Sequence, residues 1–205
     1  MPTSRFLLLN QKGPFAGASP VSIWLQEAEF AQHSPGLPVA KVTEVSDLRH
    51  TEKGIRMSKE KDNKAIVGRW FTDFWGKTCK LDIVDELAAP DMLLQYSLHE
   101  PRRGHDDIKA FMRDFRAAFP DLNFWGTADL IAEGDCVVGR WEGGGTHTGP
   151  AFSDFLIGSL PAATGRKMRF SGTTVLRLQN GRIVEEVGLD DGATALVQLG
   201  LLRAA

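Results

Sequence analysis

The chain has 205 residues, an ordinary apolar share and a formal net charge of −2, enough for one domain with a full core. Its basic residues are dispersed, which argues against a nucleic-acid groove, and no apolar run nears the roughly 18 residues that span a bilayer. The two cysteines, Cys79 and Cys136, match no metal or redox spacing; they read as reduced core thiols of a cytoplasmic protein.

Residues 1–56 hold Gly13-Pro14, Pro20, Pro35-Gly36 and Pro38 without a sustained period. They are expected to be an irregular N-terminal extension, with the domain proper at 57–205. Lys53-Gly54-Ile55-Arg56 directly precedes Met57. Lys-Gly codons can spell a purine-rich ribosome-binding sequence, so Met1 and Met57 both stand as candidate starts.

From Ser58, a suitable N-cap, residues 61–76 place Ile66, Val67, Trp70, Phe71, Phe74 and Trp75 on one helical face. Residues 81–88 predict a short helix stopped by Pro90, and 92–99 a strand. Gly104-His105-Asp106-Asp107 opens a third helix, with Ile108, Phe111, Met112 and Phe115 on one face. Residues 122–131 predict a strand, 133–135 a turn and 136–148 another strand, in which Gly143-Gly144-Gly145 suggests a bulge or bend. Residues 149–165 form a long loop with an apolar centre.

Two alternating runs then meet at Asn180-Gly181, the preferred pair for a two-residue type I′ hairpin. A short apolar helix closes the chain, with Asp191 as its N-cap. Helices followed by an antiparallel succession of strands make an α+β domain. If its sheet curves, the helices and the concave face enclose a cavity.

The motifs Ala117-Ala118-Phe119-Pro120-Asp121-Leu122, Ala132-Glu133-Gly134-Asp135 and Gly145-Thr146-His147-Thr148-Gly149 resemble the SnoaL-like polyketide cyclases, also called ester cyclases. Thr164-Gly165-Arg166-Lys167, Gly181-Arg182-Ile183-Val184-Glu185 and Gln198-Leu199-Gly200 match its later segments. The resemblance covers about residues 64–202. It implies an NTF2-like curved antiparallel sheet packed with helices around a cone-shaped pocket, in a homodimer. It also implies cofactor-free general acid–base chemistry on a small apolar carbonyl compound, ending in cyclisation or isomerisation.

The sequence departs from the family at the chemistry. The position of the family's catalytic aspartate is Gly188, its assisting histidine aligns near Leu176, and a tryptophan of many relatives is Val187. Period two puts Glu186, Gly188 and Asp190 on one face of the last strand. Glu186 and Asp190 flank the missing acid and are the candidate bases; solvated acids at a strand end are the alternative. His147, between two threonines, is the candidate proton shuttle or oxyanion donor, or else a hydrogen-bonded turn residue.

Trp70, Phe74, Tyr96, His99, Phe115 and Trp125 are the candidate ligand-binding residues, although most such aromatics serve the core. No histidine and carboxylate spacing suggests a metal site, and there is no Gly-x-Ser-x-Gly elbow. Two readings remain open: an enzyme of the family's type, and a non-catalytic protein that binds a small apolar molecule. A hydratase or hydrolase using the displaced acids is a third.

Overall fold

The structure is a computed structural model that describes residues 42–203. The part of the extension expected over 1–41 lies outside the described residues. Helix α1 spans Val42–Trp70 and runs straight through Met57. Residues 42–56, expected to be irregular, are therefore helical, and Ser58 is an interior residue rather than a cap. This stretch is polar and lacks the 3.6-residue apolar stripe by which a helix shows itself in sequence. The following turns of α1, residues 56–63, contact the 133–135 turn. Asn63 donates to the Gly134 carbonyl (3.0 Å), the Gly134 amide donates to Glu60 (3.0 Å), and Arg56 and Lys59 pair with Glu133 and Asp135.

The helix continues as a π-helical turn, Phe71–Trp75. The short α2 (Asp82–Leu87) leads directly into β1 (Ala88–Gln95), which contains Pro90. The strand thus starts four residues before the expected Met92. Pairing of β1 with its neighbour shifts register between Ala88 and Leu93, and that irregularity accommodates a residue with no N–H to give. A two-residue β2 (Arg102–Arg103) precedes α3 (His105–Ala118), which buries Ile108, Phe111, Met112 and Phe115 as its spacing predicts.

The strand expected over 122–131 is two pieces, β3 (Asn123–Gly126) and β4 (Ile131–Glu133), both paired to β5 (Cys136–Thr146). No bulge marks the three glycines of β5, whose register against β6 is unbroken. They allow close approach instead: a Cβ on Gly143 would overlap the backbone of Asn123 and Phe124. Cys136, expected in the core, is exposed at the start of β5, while Cys79 is half-buried.

The long strands β6 (Lys167–Gln179) and β7 (Arg182–Asp190) form the expected hairpin, with φ of 51° at Asn180 and 73° at Gly181. Asp191 caps α4 (Gly192–Gln198) by accepting from the Thr194 amide at 3.2 Å. The mixed sheet has the order β2-β1-β7-β6-β5-β3, with β4 also on β5. All pairs are antiparallel except β1 with β7. The helices and the inner face of this curved, unclosed sheet share one aromatic-rich core. The observed class is α+β.

Candidate active site

A one-residue irregularity in β7 sets the site. Leu178 of β6 pairs with Ile183, and Arg177 pairs with Glu185, so Val184 is the extra residue of a β-bulge. Before the bulge the odd-numbered Ile183 points inward; after it Glu186, Gly188 and Asp190 do. A regular strand with Ile183 buried would have turned Glu186 to the opposite face.

Glu186 is fully buried. Its Oε2 accepts from Trp70 Nε1 at 2.7 Å, and its Oε1 accepts from Trp75 Nε1 at 2.9 Å and from the Tyr96 hydroxyl at 2.5 Å. Residues five apart in an α-helix lie about 140° apart around its axis. The π-helical turn closes i to i+5 and so lets both indoles face one carboxylate. The network continues from Tyr96 Oη to Thr174 Oγ1 (2.9 Å), which accepts from Trp141 Nε1 at 2.8 Å. Burial pushes the Glu186 carboxyl up to about 7, although its three donors pull the other way. Burial and the neighbouring Glu186 charge also push the Tyr96 phenol well above its ordinary value.

Above this network lies a small cavity of about 30 Å³. Its walls are Phe71, Trp75, Tyr96, Leu98, Phe111 and Phe115, with Phe124, Trp141 and Phe170 from the sheet; the remaining lining residues are His99 and Asp190. Asp190 is the carboxylate in this lining. Its Oδ1 is buried without a hydrogen-bond partner. Burial raises its affinity for a proton, partly offset by hydrogen bonding from Ser97 and by the electrostatic influence of His99.

The structure thus brings Asp190, Tyr96, His99 and Phe115 to one cavity, with Glu186 directly behind Tyr96. His147 is elsewhere. It is buried beside Phe119, with Nδ1 2.9 Å from the Thr164 hydroxyl and Nε2 2.8 Å from the Pro150 carbonyl oxygen. Both nitrogens are engaged in tying down the 149–165 loop, and neither faces the cavity lining. Trp70, which bonds Glu186, stacks on Phe74 at 4.3 Å, and neither lines the cavity. Trp125 lies partly exposed on β3 under the Arg169 guanidinium, also outside it.

The sequence reading passed over Trp75 and Trp141 as polar donors. Their indoles at non-helical spacing from their partners carried no local signal. Asp154 was missed as well; it sits in the loop and pairs with Arg102 and His99. Among the described residues no cluster of three or more His, Cys, Asp or Glu could hold a metal ion.

Comparison with known proteins agrees with this architecture. Among solved structures, a candidate SnoaL-like polyketide cyclase from Jannaschia sp. CCS1 is similar, with 23% identity and a TM-score of 0.59 over 70% of this chain and 95% of that one. A candidate polyketide cyclase from Acidithiobacillus ferrooxidans shares 26% identity, with a TM-score of 0.55 over 68% and 94%. A protein of ketosteroid isomerase-like fold from Catenulispora acidiphila shares 18%, with a TM-score of 0.52 over 67% and 93%. These likenesses establish an NTF2-like fold. A search of curated proteins finds no significant match. The family model described as SnoaL-like polyketide cyclase matches residues 65–199, and the chain belongs to that family.

Proposed function

We propose that this protein is a cofactor-free acid–base catalyst that removes a proton beside the carbonyl of a compact apolar ketone, leading to cyclisation or isomerisation. The observation that carries this reading is Asp190. It is the carboxylate of an aromatic cavity, and one of its oxygens is buried without a partner. A carboxylate so placed holds a proton more tightly than an exposed one, which brings its basicity closer to what neutral-pH enolisation needs. The aromatic walls exclude water from the enolate. Membership in the SnoaL-like family and the likeness to the Acidithiobacillus protein support the same class of reaction.

The test is incubation with a panel of cyclic and aromatic ketones, read by mass spectrometry with chromatographic retention. Turnover of any member that is lost in Asp190→Asn supports the reading. A panel recovered intact, with compounds that nevertheless raise the thermal midpoint, supports the second reading: a pocket that binds without turnover. That second reading is favoured by one observation. The ring of Tyr96 fills the space beside Gly188, where the family resemblance would put the base.

A further inference from the structure

His99 lines the same cavity as Asp190 and comes from the segment after β1. Its ring is 8% exposed. Phe111, Phe115, Phe152 and Phe155 surround it at centroid distances of 4.9, 5.1, 6.1 and 5.3 Å. Nδ1 lies 2.9 Å from the backbone oxygen of Asp154. A carbonyl oxygen only accepts, so Nδ1 carries a proton and the other nitrogen decides the charge. Nε2 has no hydrogen-bond partner among the described residues.

The charged groups around the ring are few. The Asp154 carboxylate lies 3.5 Å from Nδ1 and is held in turn by Arg102, which also pairs with Asp107 at 3.7 Å. Burial would raise the Asp154 carboxyl, but hydrogen bonds from His99 and Arg102 hold it below its ordinary value. Asp190 of β7 lines the same cavity. The side chains from α3 against the ring, Phe111 and Phe115, carry no charge.

We infer that His99 is the proton donor of this site. Its Nε2–H protonates the carbonyl oxygen while Asp190 takes the proton from the adjacent carbon. Asp154 is the positioning residue: its backbone oxygen fixes the ring, and its carboxylate lies 3.5 Å from the same nitrogen. The inference rests on the reading of Asp190 as base. The C–H bond breaks and its electron pair becomes the enol C=C bond. The carbonyl π pair forms the new O–H bond with the His99 proton. Asp190 ends as a carboxylic acid and His99 as a neutral imidazole, and the reverse step restores both. No oxidant or reductant is involved. Pairing an acid with the base at one carbonyl avoids a free enolate, and such general acid–base assistance is worth about 10²–10⁴ in rate.

The probe is cyclopentanone in D₂O, with exchange at its α-carbons followed by proton NMR across a pD series. The wild-type rate is expected to be bell-shaped, falling at low pD as Asp190 protonates and at high pD as His99 loses its proton. In His99→Gln the high-pD limb disappears and the maximal rate drops about 100-fold or more. Asp154→Asn keeps the backbone acceptor but removes the charge beside Nδ1, and the high-pD limb moves. Asp190→Asn exchanges at the buffer rate. Wild-type exchange that needs Asp190 but keeps its rate and limb in His99→Gln overturns the role of His99 and leaves the base standing. Should His99→Gln fail to fold, an unmoved limb in Asp154→Asn overturns it equally. Wild-type exchange no faster than buffer overturns the base and the donor together.

Discussion

The ring of Tyr96 occupies the space that a side chain at Gly188 would need. A Cβ built on Gly188 would overlap Cε1 and Cδ1 of that ring and lie 2.9 Å from Cζ. The hydroxyl of the same ring bonds Glu186, one inward position earlier on β7. A side chain at position 188 and this placement of the Tyr96 ring therefore exclude each other.

Gly188→Ala should accordingly destabilise the fold by about 1–3 kcal/mol through overpacking. The same substitution in a Tyr96→Ala background should cost less, because the ring it meets is gone. Urea unfolding of the four proteins in this double-mutant cycle measures the coupling. Additive effects would mean that Tyr96 and position 188 do not compete for one space.

Glu186 makes stability depend on pH. Its carboxyl is raised from 4.5 unfolded to about 7 folded, so between these values the native state holds a proton that the unfolded state has lost. Stability from this group is complete below about pH 4.5 and is lost as pH rises through about 7. The change is at most roughly 3 kcal/mol at 1.36 kcal/mol per unit. Asp190 shifts in the same direction and adds to the slope. Urea midpoints at pH 5 and pH 8 should differ in that sense. Glu186→Gln should flatten most of the difference while lowering stability at pH 5. An amide has one oxygen to accept with, and its NH₂ would leave an indole N–H unpaired, at about 1–3 kcal/mol.

His147 should matter for folding rather than reaction. His147→Ala removes a buried ring against Phe119 and the ring's bonds to the Thr164 hydroxyl and the Pro150 carbonyl, of which the hydroxyl still accepts from the Arg166 amide. A loss of about 2–4 kcal/mol is expected from the cavity and the lost bonds together. Ketone exchange at a temperature where the variant is folded should stay within a few-fold of wild type. A collapse of exchange in a folded protein would place His147 in the chemistry.

The 149–165 loop should open more readily when its clip is cut. Asp154 is held by Arg102, and the Leu156 amide donates to the Leu98 carbonyl at 3.0 Å. The cavity beneath, about 30 Å³, is far smaller than the roughly 300–1,000 Å³ of pockets that take drug-sized ligands. Any larger ligand must displace part of the lining. Arg102→Gln breaks a pair whose side chains are 22% and 32% exposed, so global stability should fall by about 1 kcal/mol. Hydrogen exchange at the Phe152, Leu156 and Leu160 amides should nevertheless accelerate. Unchanged exchange at these amides would show that the ion pair does not restrain the loop.

Local chemistry alone determined much of this protein. The Asn180-Gly181 hairpin, the apolar face of α3, the Asp191 cap and the α+β class follow from turn geometry, helical period and capping, each of which acts within a few residues. The family motifs carried the NTF2-like architecture. Tertiary structure decided the rest, because the deciding contacts join residues far apart in sequence. Asn63 and Glu60 of α1 bond the 133–135 turn, more than 70 residues away in sequence. One bulge residue, Val184, turns Glu186 inward, and one π-helical turn aims Trp70 and Trp75 at it from 116 and 111 residues away. His147 and Asp190 look alike in sequence as polar candidates. Packing satisfies both nitrogens of the first and leaves a buried oxygen of the second unpaired in an aromatic cavity.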